Sequence, residues 1–242
     1  MRIPLDDLLA KDAAKLDVLK KIGRIADKQN LAVYAVGGIV RDALLHRPNH
    51  DIDLMLVGDS LAFASTVAKA LGIKTVIKYE KFATAMIPYG DYDIEIAAAR
   101  KEEYTSDSRK PSVEHTTLEE DLSRRDFTIN AMAVDIRPEQ FGEFYDLYGG
   151  VRDLELQIIR TPRSAEETFF DDPLRMMRAV RFATQLQYRI EPESYEAIQK
   201  MADRLKIISM ERIRDELFKI IQSKKPSIGI ILLKNSGLMD TF

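Results

Sequence analysis

The run Gly37-Gly38-Ile39-Val40-Arg41-Asp42, followed after eight residues by Asp51-Ile52-Asp53, constrains this chain more than any other feature. Residues 31–36, LAVYAV, form an apolar run that reads as a buried strand ending at the glycine pair. Residues 39–45 then predict a short helix, and residues 51–57 a second strand. Glycines between a strand and a helix let backbone N–H groups approach phosphate oxygens, and the helix N-terminus adds a favourable potential. Strand geometry puts Asp51 and Asp53 on one face, with Ile52, Leu54 and Leu56 on the buried one. Two carboxylates so close are costly unless a cation sits between them. Together these elements describe a seat for a metal-bound nucleoside triphosphate. Arg41 would supply positive charge to it, while Asp42 reads either as a member of that site or as a brace of the loop. The glycine spacing matches neither the Walker pattern nor GxGxxG, so it supports neither a P-loop ATPase nor a dinucleotide fold.

A two-metal site needs further ligands, because its ions lie roughly 3.5–4 Å apart. The segment Asp91-Tyr92-Asp93-Ile94-Glu95-Ile96 reads as a strand with its three carboxylates on one face. Glu95, deepest in the strand and flanked by isoleucines, is the leading candidate. Asp93 is second, and Asp91 belongs to the turn. Residues 121–131, DLSRRDFTINA, are dense in anion-binding groups: the arginines offer forks to phosphate, and Asn130 a hydrogen bond. A salt-bridged helix–loop junction is the plainer reading of the same residues. Asp171-Asp172-Pro173 then opens a helix, with an aspartate cap before an N1 proline. On that helix Arg175, Arg178 and Arg181 are expected to face outward, opposite Met176, Ala179, Val180, Ala183 and Leu186, in an arrangement suited to a nucleotide or polyanion. Residues 208–213, ISMERI, read as another helix start, where Glu211 and Arg212 brace the arginine face or serve structure alone.

Composition removes other classes. With no cysteine among 242 residues, disulfides and thiolate chemistry are excluded, and three histidines (His46, His50, His115) do not suggest a zinc site. There is no apolar segment of eighteen residues and no signal-peptide pattern, so the expectation is a cytoplasmic protein without membrane contact. A net charge of −3 does not mark the whole chain as a nucleic-acid binder, although its arginines are clustered.

Helices are expected over 12–29, with Leu16, Leu19, Ile22 and Ile25 inward, and over 60–71 and 116–123. Strands are expected over 74–79, 82–88 and 92–98, the last two joined by a Tyr-Gly-Asp turn. Residues 100–115, polar and carrying Ser106, Ser108, Arg109, Lys110 and Pro111, read as a loop. The stretch 127–136 and the Gly149-Gly150 turn extend this part. From about residue 164 only helices are expected, over 173–187, 192–202, 210–222 and 226–236. The domains are therefore placed at 1–160, an α/β head, and 161–242, an all-α segment. The final GLMDTF ends apolar and without a cap, which suggests a portion of a longer protein.

With these residues assembled, the chain resembles the class II CCA-adding tRNA nucleotidyltransferases and bacterial poly(A) polymerases of the DNA polymerase beta superfamily. The resemblance runs from GGIVRDALL and DIDL through DLSRRDFTINAMA and DDPLRMMRAVRFA to ISMERIRDEL, nearly the whole chain. It implies an α+β fold, a polymerase-beta-like nucleotidyltransferase head with a mixed β-sheet and flanking helices, followed by an all-α neck that selects the nucleotide. It implies Asp51 and Asp53 as ligands of two Mg2+ ions, and Gly37, Gly38 and Arg41 as triphosphate contacts. Arg124, Asp126 and Asn130 would belong to the motif that positions the nucleotide. Asp172 and Arg175 would present a Watson–Crick-like edge to cytosine or adenine, with Asp171 standing where glutamate is usual. Arg178 and Arg181 would support the nucleotide or the RNA end. The implied activity is template-independent transfer of CMP and AMP from CTP and ATP to the 3′ end of tRNA. Poly(A), A-only or CC-only addition are alternatives, and a non-catalytic nucleotide- or RNA-binding module is the rival of another class. Family members continue into body and tail domains that grip tRNA, and these are not among the 242 residues.

Overall fold

A computed structural model of the chain describes residues 2–10, 12–105 and 108–242, with the backbone alone for 100–115. Ser106 lies outside the described residues. The chain packs as two compact units, one of residues 1–122 and 130–147, the other of 123–129 and 148–242. Residues 148–160, expected with the head, thus pack in the second unit.

The first unit runs α1 (Leu5–Leu8), α2 (Ala13–Lys28), β1 (Ala32–Val36), α3 (Gly38–Leu44), β2 (Asp51–Val57), α4 (Ser60–Ala70), β3 (Ile77–Tyr79), β4 (Thr84–Tyr89), β5 (Tyr92–Ala98), β6 (Arg100–Thr105), β7 (Ser108–His115), α5 (Leu118–Ser123), β8 (Met132–Asp135) and β9 (Phe144–Asp146). Among the described residues, seven strands form one sheet in the order β3-β4-β5-β2-β1-β8-β9. β2 is parallel to β5 and antiparallel to β1, so the sheet is mixed, as the sequence implies. Ile52, Leu54 and Leu56 of β2 are fully buried against helices, together with Ile94 and Ile96 of β5 and Phe63 and Val67 of α4. Met55 is buried as well, so the open part of the carboxylate face is confined to the start of β2.

α2 corrects the expected helix in its rotation. Its buried stripe is Lys15, Val18, Leu19, Ile22, Gly23 and Ala26, while Leu16 and Ile25 are only half-buried. Gly23 sets this rotation, because its backbone lies directly on Ile136. A Cβ there would stand 1.8 Å from the Ile136 carbonyl oxygen. The expected loop at 100–115 is also corrected: its backbone is an antiparallel pair, β6 with β7, separate from the main sheet. Its sequence is largely polar, without the alternation that marks a strand with one buried face.

The second unit runs α6 (Gly150–Leu156), β10 (Ile158–Ile159), α7 (Ala165–Asp171), α8 (Leu174–Leu186), β11 (Arg189–Ile190), α9 (Pro192–Met201), α10 (Met210–Ile221) and α11 (Pro226–Asn235). Gly149 enters α6 with φ 73°, the left-handed region where glycine is favoured. α8 is central, burying Met176, Met177, Ala179, Val180 and Ala183. The short parallel pair β10–β11 adds a strand element to a segment read as all-α. No helix of the described residues is long and apolar enough to cross a membrane.

Candidate active site

The parallel register of β2 and β5 decides which carboxylates meet. Asp51 stands opposite Asp93, and Asp53 opposite Glu95. Residues opposed across a ladder share a face, about 4.8 Å apart. Asp51, Asp53, Asp93 and Glu95, with Tyr79 and Met86, line one cavity of about 300 Å³. Asp91 lies in the turn before β5, as expected. Both Glu95 and Asp93 therefore face the aspartate pair, and sequence had ranked them in order without bringing them together. Like charges so arranged favour a cation, and an all-carboxylate donor set suits a hard divalent ion such as Mg2+. The side chains are not drawn into a closed cage: among the described residues no group of three or more His, Cys, Asp or Glu is gathered for a metal.

The glycine pair is adjacent to this row. Gly37 follows β1 as the N-cap of α3, with φ 73° and ψ −126°, a conformation that L side chains rarely adopt, and Gly38 opens α3. A Cβ on Gly38 would lie 3.8 Å from Asp53 Oδ2. The start of α3 thus approaches the carboxylate on its bare backbone side. The two readings of Asp42 are resolved toward bracing. It is buried, and it accepts from Arg41 Nε at 2.9 Å and Nη2 at 2.8 Å, and from Asn49 Nδ2 at 2.9 Å. Arg41 Nη1 donates to Asn130 Oδ1 at 2.7 Å. Arg41 is thereby fixed in orientation by Asp42 and Asn130, with a side chain only 11% exposed.

Behind the row lies a group that sequence reasoning missed. Lys15 is 2% exposed; its Nζ donates to the backbone carbonyl of Asn49 and pairs with Asp12 Oδ2 at 3.4 Å. The same ammonium lies 5.4 Å from the centre of the Tyr92 ring, whose hydroxyl donates to Asp12 Oδ1. Burial pushes Asp12 upward, but the hydrogen bonds from Tyr92 and the Lys15 amide and the Lys15 charge outweigh it and hold its carboxyl below the ordinary value. The hydrogen bond to Asp12 chiefly, then burial, pushes the Tyr92 hydroxyl up to about 12. A raised folded-state value means a stabilisation fully present below the unfolded tyrosine value near pH 10 and lost as pH rises towards 12. Tyr92→Phe is expected to remove this component, so urea midpoints of variant and parent should converge across that window. A constant gap between them would count against the bond. The clue in the sequence was a lysine four residues before Leu19 on a helix whose buried stripe it joins.

In the second unit the arginine-faced helix is corrected. Arg178, with a third of its side chain exposed, is paired: Nε donates to Asp126 Oδ2 at 2.8 Å, and Nη2 to the same oxygen at 2.5 Å. The Asp126 charge raises the Arg178 value further. Arg181, 11% exposed, donates to Glu216 Oε2 at 2.6 Å and lies over the Phe182 ring at 4.0 Å. Burial lowers the Arg181 value, yet guanidinium stays charged at any working pH. Two of the three arginines are therefore held by acids that periodicity did not reveal. Glu216→Gln keeps a hydrogen-bond partner and removes the charge; it is expected to cost about 1.5 kcal/mol, read from denaturant midpoints.

Asp172 caps α8 through Oδ1, which accepts from the Leu174 amide at 3.1 Å, and its Oδ2 accepts from Arg212 Nη2 at 3.0 Å. Arg175 Nη1 reaches the Thr168 carbonyl at 3.4 Å. Arg163 holds Asp171 at 2.6 Å. Arg124 is half-buried, and it and Asp126 belong to the second unit, while Asn130 belongs to the first.

Residues 33–160 match the family described as poly A polymerase head domain, and residues 187–242 match that described as probable RNA and SrmB-binding site of polymerase A. The chain belongs to the poly(A) polymerase head-domain family. Similar proteins within reach of this family include an A-adding tRNA nucleotidyltransferase of Halalkalibacterium halodurans, 38% identical over 87% of this chain and 50% of that protein. A CCA-adding enzyme of Lactobacillus johnsonii is 41% identical over 86% of this chain and 49% of its own length. Among solved structures, a tRNA nucleotidyltransferase complexed with a primer tRNA and an incoming ATP analog is 32% identical with a TM-score of 0.80, over 91% of this chain and 61% of that one. The chain thus spans about half the length of these two curated relatives of the head-domain family.

Proposed function

We propose that this chain is a nucleotidyltransferase that adds CMP and AMP, from CTP and ATP, to the 3′ end of tRNA without a template. The observation that carries the reading is the carboxylate row of Asp51, Asp53, Asp93 and Glu95 beside the bare start of α3 at Gly38. Asp51 and Asp53 would hold two Mg2+ ions, with Glu95 as the further catalytic carboxylate. When bound, the metal supplies activation of the RNA 3′-hydroxyl and neutralises charge on the departing pyrophosphate. Gly38, opening α3, presents its backbone N–H to the triphosphate, while the Gly37 N–H donates to the Met132 carbonyl at 3.2 Å and fixes the turn; Arg41, oriented by Asp42 and Asn130, adds positive charge. Asp172 accepts and Arg175 donates along the base edge; a carboxylate with two bonds made retains lone pairs for two more. Arg124 and Asp126 place the nucleotide, and Arg178 and Arg181 hold that surface in shape from within. In this reading residues 1–160 carry the transfer chemistry, residues 161–242 choose the nucleotide, and the protein works in the cytoplasm.

A-only addition is the second reading, favoured by the A-adding name of the Halalkalibacterium relative. The test presents the chain with tRNA ending before CCA, after C and after CC, each with a single labelled triphosphate. CMP on the first two and AMP on the third supports CCA addition. AMP on the third alone supports A-only addition, and long A tracts support a poly(A) polymerase. Nucleotide binding with no pyrophosphate release in Mg2+ would instead mark a non-catalytic binding module.

A further inference from the structure

The carboxylate row starts where two strands carry exposed acids, so something other than core packing must fix where those strands begin. Asp51 opens β2 and is exposed, and Asp93, its partner on β5, is exposed as well. Two like charges in register push the strand ends apart. The buried ammonium of Lys15 lies where it opposes that separation. It holds the carbonyl of Asn49, two residues before Asp51, and through Asp12 it holds the hydroxyl of Tyr92, one residue before Asp93. The Tyr92 ring lies against the same cation, within the range of a cation–π contact. A lysine has three donors, and here a carbonyl, a carboxylate and an aromatic face surround them. Asn49 is fixed a second time through its side chain, which donates to Asp42.

A buried charge is costly unless paired, and an apolar residue at position 15 would fill the stripe of α2 beside Val18, Leu19 and Ile22 at no such cost. Retaining an ammonium there calls for a role that packing does not supply. We propose that Lys15 is a positioning residue that, with Asp12 and Tyr92, sets the spacing of the Asp51–Asp93 and Asp53–Glu95 pairs for a divalent cation. This rests on the reading of the row as the metal site. Neither Lys15 nor Tyr92 touches the ion or the substrate; each acts through the strand it anchors.

The test measures Mn2+ binding to the whole chain by the electron paramagnetic resonance of free ion, with thermal unfolding followed in parallel. Lys15→Met preserves length and apolar bulk, and it should weaken Mn2+ binding about tenfold, the lower end for a supporting partner of metal ligands. Tyr92→Phe leaves the Lys15–Asp12 pair and cuts only the β5 anchor, so it should weaken binding in the same direction by less. Asp53→Ala serves as reference. If Asp53→Ala binds Mn2+ like the parent, the metal-site reading itself fails. If Asp53→Ala loses binding while folded Lys15→Met retains parental affinity, the positioning role is overturned, whatever its melting temperature. Should Lys15→Met not fold, Tyr92→Phe decides, measured below its melting transition: parental affinity overturns the proposal, and weakened affinity of the folded variant supports it.

Discussion

Replacing Asp53 by alanine is expected to reduce nucleotide incorporation about a thousandfold, equivalent to about 4 kcal/mol of transition-state stabilisation. Asp53 is half-buried, faces Glu95 in register, and is the carboxylate nearest the start of α3. Among the described residues no other carboxylate stands in both relations. The fold should survive, because Asp53 is half-buried and lines a cavity instead of packing in the core. The variant should therefore melt near the parental temperature and still bind nucleotide without metal. Single-turnover incorporation, measured beside thermal unfolding, separates the two effects. Parental incorporation by the variant would end the metal-site assignment, and lost incorporation with a collapsed melting temperature would point to folding instead.

Gly23→Ala is expected to destabilise the first unit by about 3 kcal/mol or more, beyond the usual cost of overpacking, because the obstacle is backbone. The added methyl would meet the Ile136 carbonyl oxygen at 1.8 Å and its carbonyl carbon at 2.7 Å, and neither can rotate aside. Alanine gains about 1 kcal/mol of helix propensity over glycine, which the clash exceeds. Relief would require α2 to lift from Ile136, taking Val18, Leu19 and Ile22, all fully buried, with it. Gly72→Ala is the control. Gly72 has φ 73° and nothing within 4 Å of a Cβ, so it should lose only about 1–2 kcal/mol to backbone strain. Urea unfolding of both variants checks the order, and equal midpoints would show that α2 accommodates the methyl.

The elements around the site were legible because their signals are local. A five-residue apolar strand, a glycine pair and an i, i+2 aspartate pair predict their own geometry, and β5 has the bounds that alternation assigns it. What the sequence did not show depends on partners distant in the chain. Nothing near Arg178 or Arg181 announces Asp126 or Glu216, 52 and 35 residues away, so two members of an arginine row that reads as a solvent-facing surface are paired with acids. Asp42 could be judged only once Asn49 and Arg41 were seen to converge on it. Lys15 was hidden for the opposite reason: a lysine on an amphipathic helix reads as surface, and rotating α2 by one position buried it. The sequence of β6–β7 lacks the apolar alternation that would give it away.

The short excursion of residues 123–129 into the second unit, with the chain back in the first at Asn130, has a consequence for dissection. A fragment ended at residue 147 to isolate the sheet would carry Phe127 without Phe182, its edge-to-face neighbour at 5.7 Å, and leave a fully buried ring in water. One ended at residue 122 would forfeit β8, β9 and the asparagine that orients Arg41. Terminal truncation therefore frees neither half intact.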